Sequence, residues 1–437
     1  MIRGVSSHLE LCHYNTIRSQ SSQNNAWNVN TNSSNCNTNN NNKNNNLTVR
    51  AFSDYLDNDD FLLFASSMLA AYYECRRNKR GSISEILYEM NGVSNTMDLA
   101  YDIYTYNYEV SVSICFLIYI PTLREVFAAS FRDRIVHTWI AMRIEPSLER
   151  YLPDCTYSNR KGRGTSGAIK ALKKIIDEHP NYYIWKFDLQ GFFMSIDKRI
   201  LWSEFEPFIK REYNYKDKDL LIYVTKIALF NAPQDNCIRM CSADNWNPLP
   251  KKKSLFGNPW WLGLPIGDLL SQMMVGFFLK PFIDKMRSMG FVLNAHYVDD
   301  FTTSHESKEH ILESIPVIRE WLLENRGLTL HPKKFYLQHA SKGVRFLGAV
   351  IKPNRIYAGE RTTINAFNTP LPRSVRKALP RINSYLGYFK QYMTYALREK
   401  LAERCFKYKG KVYFDKSYGK MIIKGAKKKK KKKHKRK

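Results

Sequence analysis

The stretch HYVDDF, His296 to Phe301, decides how the rest of the chain is read. It sets two carboxylates side by side among aromatic and β-branched strand formers, although adjacent acids repel one another and suit strands poorly. Asp299 and Asp300 therefore need either a solvated turn or a cation between them. Upstream, NYYIWKFDLQGFFMSID is aromatic, β-branched and alternating as far as Phe187, so Asp188 falls at the end of a predicted strand. FVLNAHYVDDFTTSH reads as a hairpin with Asp299 and Asp300 at its bend. Such a strand and hairpin can together hold two divalent cations ~3.5–4 Å apart, the arrangement used for in-line displacement at phosphorus. Three carboxylates in one cleft repel strongly unless hard cations such as Mg²⁺ neutralise them and leave positions open for substrate phosphates.

The composition agrees with a phosphate-handling role. The 437 residues leave room for two or three domains or subdomains, and a hydrophobic content of 44% is ordinary for a soluble enzyme. A net charge of +28 predicts a polyanionic partner, nucleic acid ahead of anionic membrane. Lys427 to Lys437 carry ten positive charges and no negative one, and +18 remains without them. The eight cysteines are scattered, and the close pair Cys237 and Cys241 lacks a second pair at zinc-site spacing. They read as reduced thiols of an intracellular protein. The most apolar run, Val110 to Ile120, is shorter than the ~18–20 residues a bilayer needs, so neither a membrane span nor a signal peptide is expected.

Along the chain, an Asn-rich stretch from about Ser19 to Leu47 has too few apolar side chains to offset its ordering entropy and reads as a disordered arm. Helical spacing runs from Phe52 to about Tyr108, with a basic cluster at Arg76 to Arg80. CFLIYIPTLREVFAASF reads as strand, turn near Pro121, and strand. The next segment places Ile135, Trp139, Met142 and Ile144 at roughly helical intervals and reads as a buried helix. GVRFLGAVIK reads as a strand pair, Pro372 to Arg404 as basic amphipathic helices, and a polylysine tail follows.

These residues resemble reverse transcriptases. YVDDF resembles their YxDD box, and FDLQGFFMSID their first catalytic aspartate motif. SNRKGRGT resembles the basic fingers motif, GLPIGDLLSQ the template-binding motif, GLTLHPKKF the lysine motif and VRFLG the primer grip. All six occur in the family's order, within a resemblance covering roughly Phe52 to Arg404. It implies an α+β right-hand polymerase, with fingers and palm built from an antiparallel sheet with helices, then a helical thumb. The expected division is an arm at 1–50, N-terminal helices and fingers at 51–185, and a palm at 186–355 with a fingers-like insertion at about 210–260. A thumb at 356–420 and a basic tail at 421–437 complete it.

Roles follow motif by motif. Asp188, Asp299 and the backbone carbonyl of Leu189 would hold two Mg²⁺, or Mn²⁺ in their place, with Asp300 beside them. Phe193 falls where the family places the aromatic gate that excludes a ribose 2′-hydroxyl; Ile266 and Gln272 belong to the nucleotide-side motif. Arg124 resembles the fingers arginine whose planar fork lies along the triphosphate. Arg132, Arg160, Lys161 and Arg163 would track template or triphosphate, with Gly162 and Gly164 permitting close approach. Lys334, or its neighbour Lys333, resembles the lysine that protonates departing pyrophosphate. Tyr297 would pack beneath the primer or template end, and Phe346, Leu347 and Gly348 form the primer grip.

Within the family, SFRDRIVH, NRKGRGT, GLPIGDLLSQ and INSYLG most resemble the enzymes of diversity-generating retroelements. Group II intron and retron enzymes usually have PQG where this chain has PIG. An aliphatic Ile266 cannot donate the glutamine's hydrogen bonds, so discrimination loosens, and the resemblance implies misincorporation opposite template adenines. It further implies as partners template RNA, the cDNA/RNA hybrid, deoxynucleoside triphosphates and a small basic accessory variability protein, in a bacterial or phage-infected cytoplasm. The Asn-rich arm is either plain low complexity or, because Asn codons are adenine-rich, part of a translated template repeat within 26–52. The rivals are a group II intron, retron or phage-defence reverse transcriptase, and a catalytically silent RNA-binding protein of the same fold.

Overall fold

In the computed structural model the described residues are 55, 58–77, 82–119, 122–392, 394–408, 410–415 and 419–423. The Asn-rich arm at 1–50, residues 78–80 of the basic cluster and the tail from 424 lie outside them. The described chain opens with helices α1 (Asp59–Arg76), α2 (Ile83–Glu89) and α3 (Gly92–Tyr104), strands β1 (Ser113–Ile118) and β2 (Arg124–Ala128), and helices α4 (Phe131–Tyr151) and α5 (Thr165–Glu178). Next come β3 (Tyr183–Leu189), α6 (Phe192–Ser195), α7 (Lys198–Glu212), α8 (Lys218–Phe230), β4 (Cys237–Arg239) and α9 (Leu269–Ser288). They lead into β5 (Val292–Tyr297), β6 (Asp300–His305), α10 (Lys308–Arg326) and β7 (Leu330–His339). The remainder is β8 (Val344–Phe346), β9 (Ala349–Lys352), β10 (Arg355–Ala358), α11 (Glu360–Asn368), α12 (Val375–Phe389), α13 (Tyr395–Glu403), β11 (Val412–Asp415) and β12 (Lys420–Ile423). The α+β class expected from the sequence is the class of the structure.

The central sheet runs β5-β6-β3-β7, antiparallel throughout. Both its faces are covered, so β3 carries apolar side chains on both sides as far as Trp185 where the sequence predicts an alternating strand. Trp185, Phe187 and Leu189 face the main core, where Phe187 stacks on Phe301 at 5.1 Å and Phe282 packs edge-on to both. On the other side, Ile184 joins a second core with Ile169 and Leu172 of α5, Ala295, and Val344, Phe346 and Ile351 of the β8-β9-β10 sheet. Alternation puts Lys186 and Asp188 on that second face, at the end the cover leaves open.

The helix over Phe131–Tyr151 buries Ile135, Trp139 and Ile144 as expected, but Met142 is 42% exposed. Position 142, seven residues on from 135, shares that residue's side of the helix by a 3.6-residue period, so its exposure reflects what packs against the helix there and not its spacing. β4 of the expected insertion pairs in parallel with β1 and so extends the β2-β1 sheet. Position 185/186 lies inside β3, and 355/356 inside the β9–β10 hairpin, so the structural joints differ from the expected boundaries. The terminal unit is not wholly helical: β11 and β12 form a hairpin whose Met421 packs with Ile382 and Leu386 of α12, so a tail beginning at 421 would cut through β12. Four-residue strands within a lysine-rich stretch of sequence carry too weak a periodicity to stand out from a basic tail. No helix among the described residues is long and apolar enough to cross a membrane.

Candidate active site

β3 supplies the first carboxylate and the β5–β6 hairpin the other two. Asp188 lies directly opposite Asp300 in the β3–β6 register, and Tyr297 opposite Asp300 in the hairpin, leaving Val298 and Asp299 as a two-residue turn. Val298 has φ +62°, the left-handed conformation that such turns require at their first position and normally fill with glycine. The three acids predicted to act together are therefore brought together.

Their electrostatics show how closely. Burial, then the charges of Asp188 and Asp300, push the Asp299 carboxyl up to about 6. Burial raises the Asp300 carboxyl too, opposed by Lys186. Lys334 Nζ donates to Asp188 Oδ2 at 2.5 Å, and Lys186 Nζ stands 3.7 Å from Asp300 Oδ1. Lys334 reaches Asp188 because the β3–β7 register jumps: Phe187 pairs with Phe335 and Leu189 with Leu330, so His331 to Lys334 bulge over the strand end. Lys333 is exposed in the same bulge, where its main-chain N–H donates to His331 Nδ1 at 3.2 Å. Leu189 buries its side chain, so only its main chain can serve a cation.

All the donors here are carboxylate or carbonyl oxygens, which suits a hard divalent cation. Among the described residues no three Asp, Glu, His or Cys side chains stand at metal-ligand spacing. Instead, the carboxylates of Asp188 and Asp300 are turned toward the two lysines. The donor chemistry fits the cations, and the ammonium groups occupy the cationic side of the cleft.

Two of the nucleotide-side candidates, Phe193 and Ile266, also meet. Phe193, in α6 just past the Gly191 turn, packs in one cluster with Ile266, Phe127 and Leu255. Ile266 O accepts from Phe127 N at 3.0 Å, joining the GLPIG turn to the strand that begins at Arg124. Gly267 is required there, since its φ is +109° and a Cβ would stand 2.7 Å from Val126 Cγ1. Arg124 is exposed and donates through Nε to Thr122 Oγ1. Gln272, in the first turn of α9, accepts at its carbonyl from Asn159 Nδ2 of the basic loop.

The basic loop divides by use. Lys161 is 87% exposed at its side chain and pairs with Glu145; Arg163 lies over the Tyr157 ring and donates to Asp154. Arg160 departs from the expectation that it tracks template. Its side chain is buried and bidentate to Glu149, with a further bond to Pro153 O, so it anchors the loop from inside. Arg132 likewise donates to Asp102 and Glu109 O and lies over Tyr108, tying α4 to α3 rather than facing outward. On the opposite side, Tyr297 packs with Phe346 and Leu347, and Gly348 O accepts from Gly359 N and from the Tyr388 hydroxyl of α12. The primer-grip turn is thus fastened to the terminal helical unit.

Sequence reasoning missed Lys186, His296 and Glu125. Lys186 was legible in principle, being two residues before Asp188 and so on its face of the strand. Glu125 is fully buried and accepts from Trp246 Nε1, Ser254 Oγ and Leu255 N, holding the insertion against β2. Nothing in the sequence pairs position 125 with 246–255.

Comparison with known proteins follows the same line. The sequence model of the reverse transcriptase (RNA-dependent DNA polymerase) family matches residues 122–351, which includes every carboxylate and lysine of the cleft. No curated protein matches the chain. Among solved structures, apo telomerase from Candida tropicalis is similar at 12% identity and a TM-score of 0.43, over 68% of this chain and 58% of that one. Telomerase from Candida albicans, in complex with the TWJ fragment of telomeric RNA, is similar at 11% identity and a TM-score of 0.40, over 74% and 61%. This chain therefore spans about three fifths of the length of each.

Proposed function

The chain belongs to the reverse transcriptase (RNA-dependent DNA polymerase) family, nucleotidyltransferases that work with divalent cations, and on that footing we propose that it copies a template-repeat RNA into error-prone cDNA for a diversity-generating retroelement. The observation that carries the chemistry is the meeting of Asp188, Asp299 and Asp300 at one strand end beside Lys334. The primer 3′-hydroxyl attacks the α-phosphate of a deoxynucleotide, the new P–O bond forms as the bond to pyrophosphate breaks, and pyrophosphate leaves. Asp188, Asp299 and the main chain of Leu189 would hold two Mg²⁺, with Asp300 beside them; bound there, the cations would neutralise charge on the phosphates and favour the ionised hydroxyl.

The remaining roles belong to side chains. Lys334, already on Asp188, gives a proton to the departing pyrophosphate. Arg124 lies along the triphosphate, Phe193 closes off the 2′ side of the sugar, and Ile266 packs beside it without a hydrogen bond to offer. Lys161 and Arg163 meet template phosphates, while Tyr297, Phe346, Leu347 and Gly348 support the primer end. A small basic accessory protein and a bacterial or phage-infected cytoplasm complete the proposal.

A primer-extension assay on RNA tests the reaction, with Asp299→Ala and Asp300→Ala as controls; extension by the double variant would refute the assigned roles. Sequencing the cDNA tests the class. Errors concentrated at template adenines are expected, and evenly spread errors would remove the diversity-generating reading while leaving the polymerase.

A further inference from the structure

The turn that carries Asp299 is held in an unfavourable conformation. Val298, at φ +62°, is β-branched, and such residues avoid the left-handed region that glycine enters freely. A conformation of this kind persists only where the surroundings over-determine it. Here both main-chain groups of Val298 are taken by side chains, one two residues back at the end of β5 and one from the distant segment 155–158. Its N–H donates to Ser158 Oγ at 3.1 Å, and its carbonyl accepts from His296 Nε2 at 2.7 Å.

The imidazole is itself fixed. His296 is fully buried and stacks on Phe301 at 4.4 Å. Because Nε2 donates to a carbonyl, Nδ1 is left to accept from the hydroxyl of Thr156, 3.3 Å away and also buried. Main-chain bonds join the same segments: His296 N donates to Cys155 O at 2.7 Å, and Tyr157 N to His296 O at 2.9 Å. Residues 155–158 thus continue the sheet beyond β5 and run directly into the basic loop at 159–164. That loop is closed onto the same segment by Gly164 N donating to Tyr157 O at 2.9 Å, and tied to α9 through Asn159.

We propose that His296 and Ser158 are positioning residues that clamp the Val298 peptide groups from both sides, setting the Asp299 carboxylate and coupling it to the phosphate-binding basic loop. The inference rests on the polymerase reading. Neither side chain touches the reacting atoms, so their loss should appear in the chemical step rather than in substrate binding. A displacement of about 1 Å at a reacting group can cost about 10²-fold in rate.

The test uses the full chain in RNA-templated primer extension, with kcat, KM for the deoxynucleotide and affinity for template–primer measured separately. His296→Phe keeps a ring to stack on Phe301 but removes the donor; His296→Gln keeps an N–H donor at similar reach. The expected result for His296→Phe is a kcat loss of about 10²-fold with KM within about twofold, and substantial rescue in His296→Gln. Ser158→Ala should lower kcat by about tenfold, and the double variant Ser158→Ala/His296→Phe should fall short of the product of the two losses, because both act on one peptide unit. If His296→Phe does not fold, Ser158→Ala and His296→Gln still carry the kcat-against-KM comparison.

Equal losses in the Phe and Gln variants, losses confined to KM, or strictly multiplicative losses would overturn the clamp. An active wild type with unaffected His296 and Ser158 variants would overturn the clamp alone. Absence of extension by the wild type under conditions that support its template–primer binding would overturn the polymerase reading, and the clamp with it.

Discussion

Protonating His296 should cost the folded protein stability over a defined pH window. Burial pushes the imidazole down to about 4 from an ordinary 6.5, and the bond to the Val298 carbonyl only partly opposes it. Above pH 6.5 the ring is neutral in both folded and unfolded chains, so its contribution to stability is complete. As pH falls from 6.5 toward 4, the unfolded chain takes up a proton that the folded protein refuses, and stability declines; below 4 the loss levels off. Between about pH 7.5 and about pH 5 the linkage integral for these two values amounts to about 2 kcal/mol. His296→Gln cannot take up that proton. Urea denaturation of wild type and variant at both pH values, compared as a double difference, removes the carboxylates and other histidines common to the two. Wild type should lose about 2 kcal/mol more than the variant on acidification. Parallel pH dependences would mean that His296 titrates normally when folded, and the buried, singly donating imidazole described above would be refuted.

Three further outcomes are expected. Mg²⁺ should raise the Tm of the wild type and should do so much less in Asp188→Asn/Asp299→Asn, because a cation binding only the folded state stabilises by mass action; equal shifts would place the cation elsewhere. Ile266→Gln should restore hydrogen-bonding capacity beside Phe193 and reduce misincorporation several-fold in sequenced cDNA, and an unchanged error spectrum would remove Ile266 as its cause. Glu125→Leu strands three donors, at about 1 kcal/mol or more each, so it should lower stability by about 3 kcal/mol and expose residues 240–255 to proteolysis. Unaltered cleavage in that segment would show that the carboxylate does not hold it.

Where a short sequence pattern dictates a local conformation, the structure was legible in advance. Asp188 at a strand end, a hairpin turn that carries Asp299, the paired strands 113–118 and 124–128 and the long helix from Phe131 all follow from alternation or helical spacing within a dozen residues. Contacts that depend on which distant segments meet were not legible. Arg160 looks like any solvated arginine in SNRKGRGT, and only the fold shows Glu149 beneath it. His296 reads as one more residue of a strand until Thr156 and the Val298 carbonyl are seen on its two nitrogens. The β11–β12 hairpin was lost in a lysine-rich terminus because its strands are four residues each and its apolar partners lie in α12.

Hydrogen-bond supply separates two buried carboxylates of the framework from the three acids of the cleft. Glu125 and Asp133 would pass in sequence for functional acids, each next to an arginine in a basic segment, and both are fully buried. Glu125 accepts from an indole, a hydroxyl and an amide, and Asp133 from Tyr108, Ser130 and the Ser111 amide. Neutral donors of this kind occupy most of a buried carboxylate's lone pairs and leave little room for a cation. At the cleft the pattern inverts. Among the described residues no side chain is seen to donate to Asp299, while Asp188 and Asp300 face only the ammonium groups of Lys334 and Lys186. A lysine on a flexible stem can swing away when a divalent cation arrives, whereas an indole or main-chain amide locked in a core cannot. Glu125 and Asp133 are therefore well supplied with neutral donors while the three acids of the cleft are not, the condition under which binding a metal ion is favourable.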